Sequence, residues 1–174
     1  MTEYLQFPRY SISLTPSQSF LDDLNFFYEK NNLDYDNLPV SIHGIHYSVK
    51  APFYISHLYS EIDLINYFNS INSIQAHNIF KRSFKVIKLS EFKKNLILEL
   101  ESDQELYFFV HDLMRSFDRF RKILDSEDIK KELLRFNQLS EKELIYYQIW
   151  GYPYYFECGK HHISVVNFDP NLKL

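Results

Sequence analysis

The sequence predicts an α+β fold, with helices packed against antiparallel strands. Three observations carry this. Short stretches of period-2 hydrophobicity recur between stretches of helical spacing along the chain. Capping signals stand just ahead of the helical stretches. Aromatic residues make up 18% of the 174 residues, with 16 Phe and 14 Tyr, enough large apolar area for a core in a chain of this length.

Residues 9–14 read as a strand with Tyr10, Ile12 and Leu14 on one face. Thr15-Pro16-Ser17-Gln18 starts a helix: Thr15 caps, Pro16 suits the first helical position and Gln18 closes the capping box. Phe20, Leu21, Leu24, Phe27 and Tyr28 form its apolar stripe, Asn31-Asn32 end it, and a polar loop runs to Pro39. Residues 42–49 are the second strand, stopped by Pro52. Residues 60–71 are an amphipathic helix whose stripe is Ile62, Ile65, Phe68 and Ile71. Residues 83–89 and 96–101 pair as strands around a turn at Lys93-Lys94-Asn95, with Leu96, Leu98 and Leu100 inward and Glu99 and Glu101 outward. A capping box at Ser102-Asp103-Gln104-Glu105 opens a long helix carrying Leu106, Phe109, Val110, Leu113, Phe117 and Phe120. Residues 126–149 hold two short helices, the second capped by Ser140 with Glu143. Gly151 and Pro153 break the chain, and residues 161–168 form the last strand. The pattern strand, helix, His-bearing strand occurs early and again late, with no low-complexity linker between. Residues 1–174 therefore read as a single domain.

Composition excludes several function classes. Three glycines and two alanines leave no glycine-rich loop to cradle a nucleotide phosphate. Nineteen basic against 23 acidic residues give a net charge of −4, so no basic balance draws the chain onto nucleic acid. The single Cys158 permits neither an internal disulfide nor a multi-cysteine zinc site. The first twenty residues lack an apolar signal core, and the longest apolar run, residues 106–110, falls far short of the ~20 residues that span a bilayer. The expectation is a soluble, cytoplasmic protein with no membrane partner. Oligomeric state is not legible.

Seven histidines occur, and two sit in the same local pattern. His46-Tyr47-Ser48 and His162-Ile163-Ser164 are both His-x-Ser on strand candidates. Residues i and i+2 of a strand share a face, so each pair presents an imidazole beside a hydroxyl. Lys50 extends the first face and Lys160 the second. Solvated strand faces and a polar cleft both account for such a pattern. His43 and His46, or His161 and His162, point to opposite faces of a strand and make no chelate. No metal and no cofactor are expected. Cys158 reads as a packed thiol, and Tyr152-Pro153-Tyr154-Tyr155-Phe156 as core, a wall or a surface on which a base stacks.

Gly44-Ile45-His46-Tyr47-Ser48-Val49-Lys50-Ala51-Pro52-Phe53 resembles the first signature of the 2H phosphoesterase superfamily. It is most similar to the branch found beside phosphonate-utilisation genes, where a His-x-Thr/Ser strand leads into Lys-Ala-Pro-Phe. Phe117-Asp118-Arg119-Phe120-Arg121 resembles the Asp-x-Phe-Arg element of that branch, and Trp150-Gly151-Tyr152-Pro153-Tyr154 its Trp-Gly-Tyr-Pro-Tyr element. Lys160-His161-His162-Ile163-Ser164-Val165 resembles the second His-x-Thr/Ser strand. Both hydroxyl positions here are Ser where Thr is commoner, and Lys160 stands where Arg is frequent. An arginine-rich stretch is reduced to Leu133-Leu134-Arg135-Phe136, which points to a different or less charged substrate.

The resemblance implies two pseudo-symmetric α+β lobes, each giving one His-x-Ser strand to a shared cleft. It implies metal-free hydrolysis of a cyclic or small phosphodiester, or of an RNA end. His46 and His162 are then the catalytic acid and base, and histidine's ordinary pKa near ~6.5 allows both states at working pH. Ser48 and Ser164, with Lys50 and Lys160, are the phosphate-binding residues. Tyr10, Arg121 and Tyr152 are further substrate contacts. The competing expectation is a binding module that holds a nucleotide, RNA end or phosphorylated metabolite without turnover.

Overall fold

The computed structural model describes residues 8–34, 44–79, 84–92, 95–134, 136 and 139–167. In chain order its elements are β1 (Arg9–Leu14), α1 (Gln18–Lys30), β2 (Tyr47–Tyr54), α2 (Glu61–Ile79), β3 (Lys85–Phe92), β4 (Asn95–Glu101), α3 (Gln104–Asp118), α4 (Ser126–Leu133), α5 (Glu141–Trp150) and β5 (His162–Asn167). The strands form one sheet in the order β1-β2-β5-β4-β3, with β2, β5, β4 and β3 pairing antiparallel. This is the expected α+β class. The chain divides into two compact units, Met1–Ile12, Val49–Ser83 and Ser102–Lys160 in the first, and Ser13–Ser48, Phe84–Glu101 and His161–Leu174 in the second. No helix among the described residues is long and apolar enough to cross a membrane.

In the first unit, α3 supplies the core. Asp103, rather than Ser102, caps it, accepting from the Leu106 amide at 2.8 Å. Leu106, Val110, Leu113, Met114 and Phe117 are buried at helical spacing, with Phe120 just past the helix end. The structure corrects the expected stripe of α2. Ile62 and Ile65 face outward, Ile62 with 59% exposure, and Phe68 is exposed at the edge of Phe117, while Leu64 is 5% exposed. Tyr67 decides the rotation: its ring meets Phe117 and Phe120 at 5.3 Å each, under the Arg119 guanidinium at 3.9 Å. The Ser140–Glu143 capping box of α5 forms as expected, and Gly151 ends that helix at φ +75°, a conformation that a side chain would strain.

Strand β2 runs through Pro52 instead of stopping before it. Its recorded pairing with β5 is Tyr47 opposite Ile163, at the far end from the proline, so the missing N–H breaks no ladder bond there. Pro52 instead uses its carbonyl, which accepts from Arg9 at 2.9 Å.

In the second unit, α1 begins later than expected. Ser17 rather than Thr15 is the cap, its hydroxyl accepting from the Phe20 amide at 3.4 Å. Leu24 and Tyr28 are buried, and the Tyr28 hydroxyl donates to the Val165 carbonyl at 2.6 Å. The inward face of β4 also differs from expectation. Ile97 and Leu100 are buried while Leu96 and Leu98 are half-buried. Register shifts between Leu96 and Ile97 against β5, and between Val86 and Lys88 against β4, interrupt simple alternation. Residues 42, 43, 83 and 168 of the expected strands, and Lys93 and Lys94 of the expected turn, lie outside the described residues.

Candidate functional site

The two His-x-Ser segments lie on neighbouring strands. Tyr47 of β2 sits opposite Ile163 of β5 in antiparallel register. Both are buried, so the side chains on either side of them point to the other face of the sheet. One step along each strand sets Ser48 across from His162 and His46 across from Ser164. Residues so opposed have Cβ atoms about 4.5–5.5 Å apart. Ser48 is exposed and His46, His162 and Ser164 are half-buried, while Ile97, opposite Ser164 on β4, is fully buried. Both segments belong to the second unit, where the resemblance implied one from each lobe.

His46 is held by its own turn. Gly44 takes φ +69°, which glycine adopts without a Cβ clash. That geometry lets its carbonyl accept from His46 Nδ1 at 2.8 Å. The neutral ring then carries its lone pair on Nε2. His162 is flanked by the Phe92 ring, 5.4 Å between centroids. Its neighbour His161 turns the other way and is hydrogen-bonded through Nδ1 to the Tyr47 hydroxyl at 2.5 Å. Burial, with the His162 charge beside it, holds His161 below the ordinary imidazole range.

Strand β4 adds a residue that sequence reasoning set aside. Glu99 lies opposite His162 on one side and Lys88 on the other. Its Oε1 accepts from Ser90 Oγ at 2.5 Å and lies 3.6 Å from Lys88 Nζ. The row Lys88, Glu99, His162, Ser48 therefore crosses four strands on one face. The alternation of β4 carries this signal only as far as placing Glu99 outward.

Lys50 corrects an expectation. Its side chain is 1% exposed, and its ammonium is ion-paired with Asp118, donates to the Trp150 carbonyl at 3.2 Å and lies over the Phe53 and Tyr155 rings. Burial lowers it to about 8 against the pull of Asp118. A lysine so committed is a structural cation, not an open phosphate ligand. Arg121 belongs to the same network: its Nε and Nη2 donate to Asp118 at 2.8 and 3.2 Å, and Nη2 reaches the Ile149 carbonyl at 2.6 Å. Its guanidinium is therefore not an open substrate contact either. The Tyr155 hydroxyl accepts from the Ala51 amide at 2.7 Å. Lys-Ala-Pro-Phe, Asp-x-Phe-Arg and Trp-Gly-Tyr-Pro-Tyr thus meet in one buried network within the first unit.

The remaining expected residues stand as follows. Lys160 is exposed and precedes β5, where strand alternation does not extend. Tyr10 is half-buried on β1, its phenol raised by burial and by Glu61. The Tyr152 phenol is pushed up to about 12 by burial and by Tyr154, among the Phe136, Tyr154 and Tyr155 rings. Among the described residues, no three His, Cys, Asp or Glu side chains gather as a metal-ligand group.

No curated protein and no solved structure matches the chain. A family model described as a protein of unknown function, DUF1045, matches residues 48–167. The span holds Ser48, His162, Ser164, Glu99 and the three motifs of the buried network, and starts two residues after His46. The chain belongs to the DUF1045 family.

Proposed function

We propose that the protein is a metal-independent phosphodiesterase that hydrolyses a cyclic or small phosphodiester by two-histidine acid/base catalysis. The observation that supports this reading is the register of Tyr47 opposite Ile163, from which strand alternation puts the two imidazole–hydroxyl pairs crosswise on one face. Hydrolysis needs proton transfer at both ends of the bond exchange. One neutral imidazole takes a proton from water as its oxygen bonds to phosphorus. The opposite P–O bond breaks, and the other imidazole, as imidazolium, gives its proton to the departing oxygen. One water is added, and the two rings end with their protonation states exchanged. Ser48 and Ser164 donate to the non-bridging oxygens, where charge grows in the transition state. Lys50, Asp118 and Arg121 support the strand that carries Ser48 rather than touching the phosphate.

A panel of nucleoside 2′,3′-cyclic phosphates, ribose cyclic phosphates and RNA with a cyclic end, assayed in EDTA, tests the reading. Turnover by the wild type, reduced ~10²-fold or more in His46→Ala and in His162→Ala, is the expected result. Activity that requires a divalent ion would move the protein to the metal class. Saturable binding with no product would make it a binding module.

A further inference from the structure

We infer that Glu99 is a positioning residue that favours the protonated His162 imidazole, which makes His162 the acid and His46 the base. The assignment of roles rests on the function proposed above, whereas the coupling of Glu99 to His162 stands on the sheet register alone. Glu99 and His162 are directly opposed in the β4–β5 ladder, so their side chains leave the same face side by side. Two neighbours favour the ionised carboxylate: Ser90 donates to it at 2.5 Å, and Lys88 lies 3.6 Å away. The Phe92 ring lies against His162, 5.4 Å between centroids.

Among the described residues, the titratable groups that the register brings to the face of His162 are Glu99 from β4, Lys88 from β3 and His46 just before β2, while His161 is adjacent in the chain on the other face. Lys88 and the two histidines oppose a positive His162. Glu99 is the anion directly opposed to His162, and mostly exposed Lys88 is screened by solvent. His46 differs in its partner. Its Nδ1–H goes to the Gly44 carbonyl, so Nε2 is the nitrogen that accepts a proton. A carboxylate beside one ring and a carbonyl beside the other separate the two roles.

The test is an NMR titration of the imidazole resonances in the full-length protein without substrate, with His162 assigned through His162→Gln. In Glu99→Gln the His162 midpoint should fall by about one pH unit, the scale for unit charges about 5 Å apart at a half-exposed site. Glu99→Asp should recover part of the fall, and Lys88→Met should raise the midpoint. If Glu99→Gln does not fold, Lys88→Met and Glu99→Asp decide alone. A His162 midpoint that ignores all three substitutions overturns the inference. Because no substrate is needed, a protein that shows the shift but cleaves no phosphodiester keeps the coupling and loses the proposed function. With a substrate, the alkaline limb of the kcat/KM profile should fall with Glu99→Gln, and movement of the acidic limb instead would reverse the roles.

Discussion

Replacing Asp118 with Asn removes the carboxylate that faces two buried cations. Lys50 would keep the Trp150 carbonyl and two ring faces, and Arg121 the Ile149 carbonyl, with no counter-charge from Asp118. Breaking a buried ion pair from one side costs about 3–5 kcal/mol. The lower end applies, because Asp118 is only half-buried and Lys50 can shed its proton. A loss of about 3 kcal/mol is a large part of the ~5–15 kcal/mol that holds a domain together, and at 2–4 °C per kcal/mol lowers Tm by roughly 6–12 °C. Urea unfolding at neutral pH measures it, and Lys50→Met in the Asp118→Asn background should restore most of the loss. A folded Asp118→Asn protein within about 1 kcal/mol of wild type would refute the structural reading. The pH dependence has a definite sign. Lys50 is lowered to about 8 from an ordinary 10.5, so the unfolded chain binds more protons across that window. Its contribution to stability therefore rises with pH there, and the rise should vanish in Lys50→Met.

Three further outcomes follow from the same coordinates. Gly44→Val should strain the turn by about 1–2 kcal/mol and free His46 from its carbonyl partner, seen as a lower urea midpoint and an altered His46 tautomer by NMR. Because His161 is held below the ordinary imidazole range, the unfolded chain binds more protons as pH falls through that range; stability should drop on acidification, and less so in His161→Phe. On α2, Leu64→Ala should cost about 2–5 kcal/mol, whereas Ile65→Lys should stay within about 0.5 kcal/mol of wild type; equal losses would contradict the helix rotation described.

Much of the fold was legible in the residues, and the misses have physical causes. The strands, the long aromatic helix and the Ser140–Glu143 cap follow from period and local hydrogen bonding. The α2 face did not, because Leu64 and Tyr67 and the row Ile62, Ile65, Phe68 both satisfy a helical repeat. The Phe117 and Phe120 rings, both meeting Tyr67, favour the first row, with Phe68 left at the edge. Pro52 misled because a proline disrupts a strand only where its N–H is needed. The His-x-Ser pairs were legible one strand at a time. Their crosswise register is a long-range fact that no local pattern states. Lys50 looked open because period 2 assigns it to a face without saying what covers that face. Glu99 was passed over because an acidic residue in an alternating strand reads first as a solvated edge.

The proposed hydrolysis requires both imidazoles to act at one phosphorus atom. Single-turnover hydrolysis of a cyclic phosphodiester in EDTA, compared among wild type, His46→Ala, His162→Ala and the double variant, measures this most directly. Each single loss should be about 10²-fold or more, with the double variant little worse than the poorer single, as residues working as a unit behave. Wild-type-like rates in either single variant would contradict it.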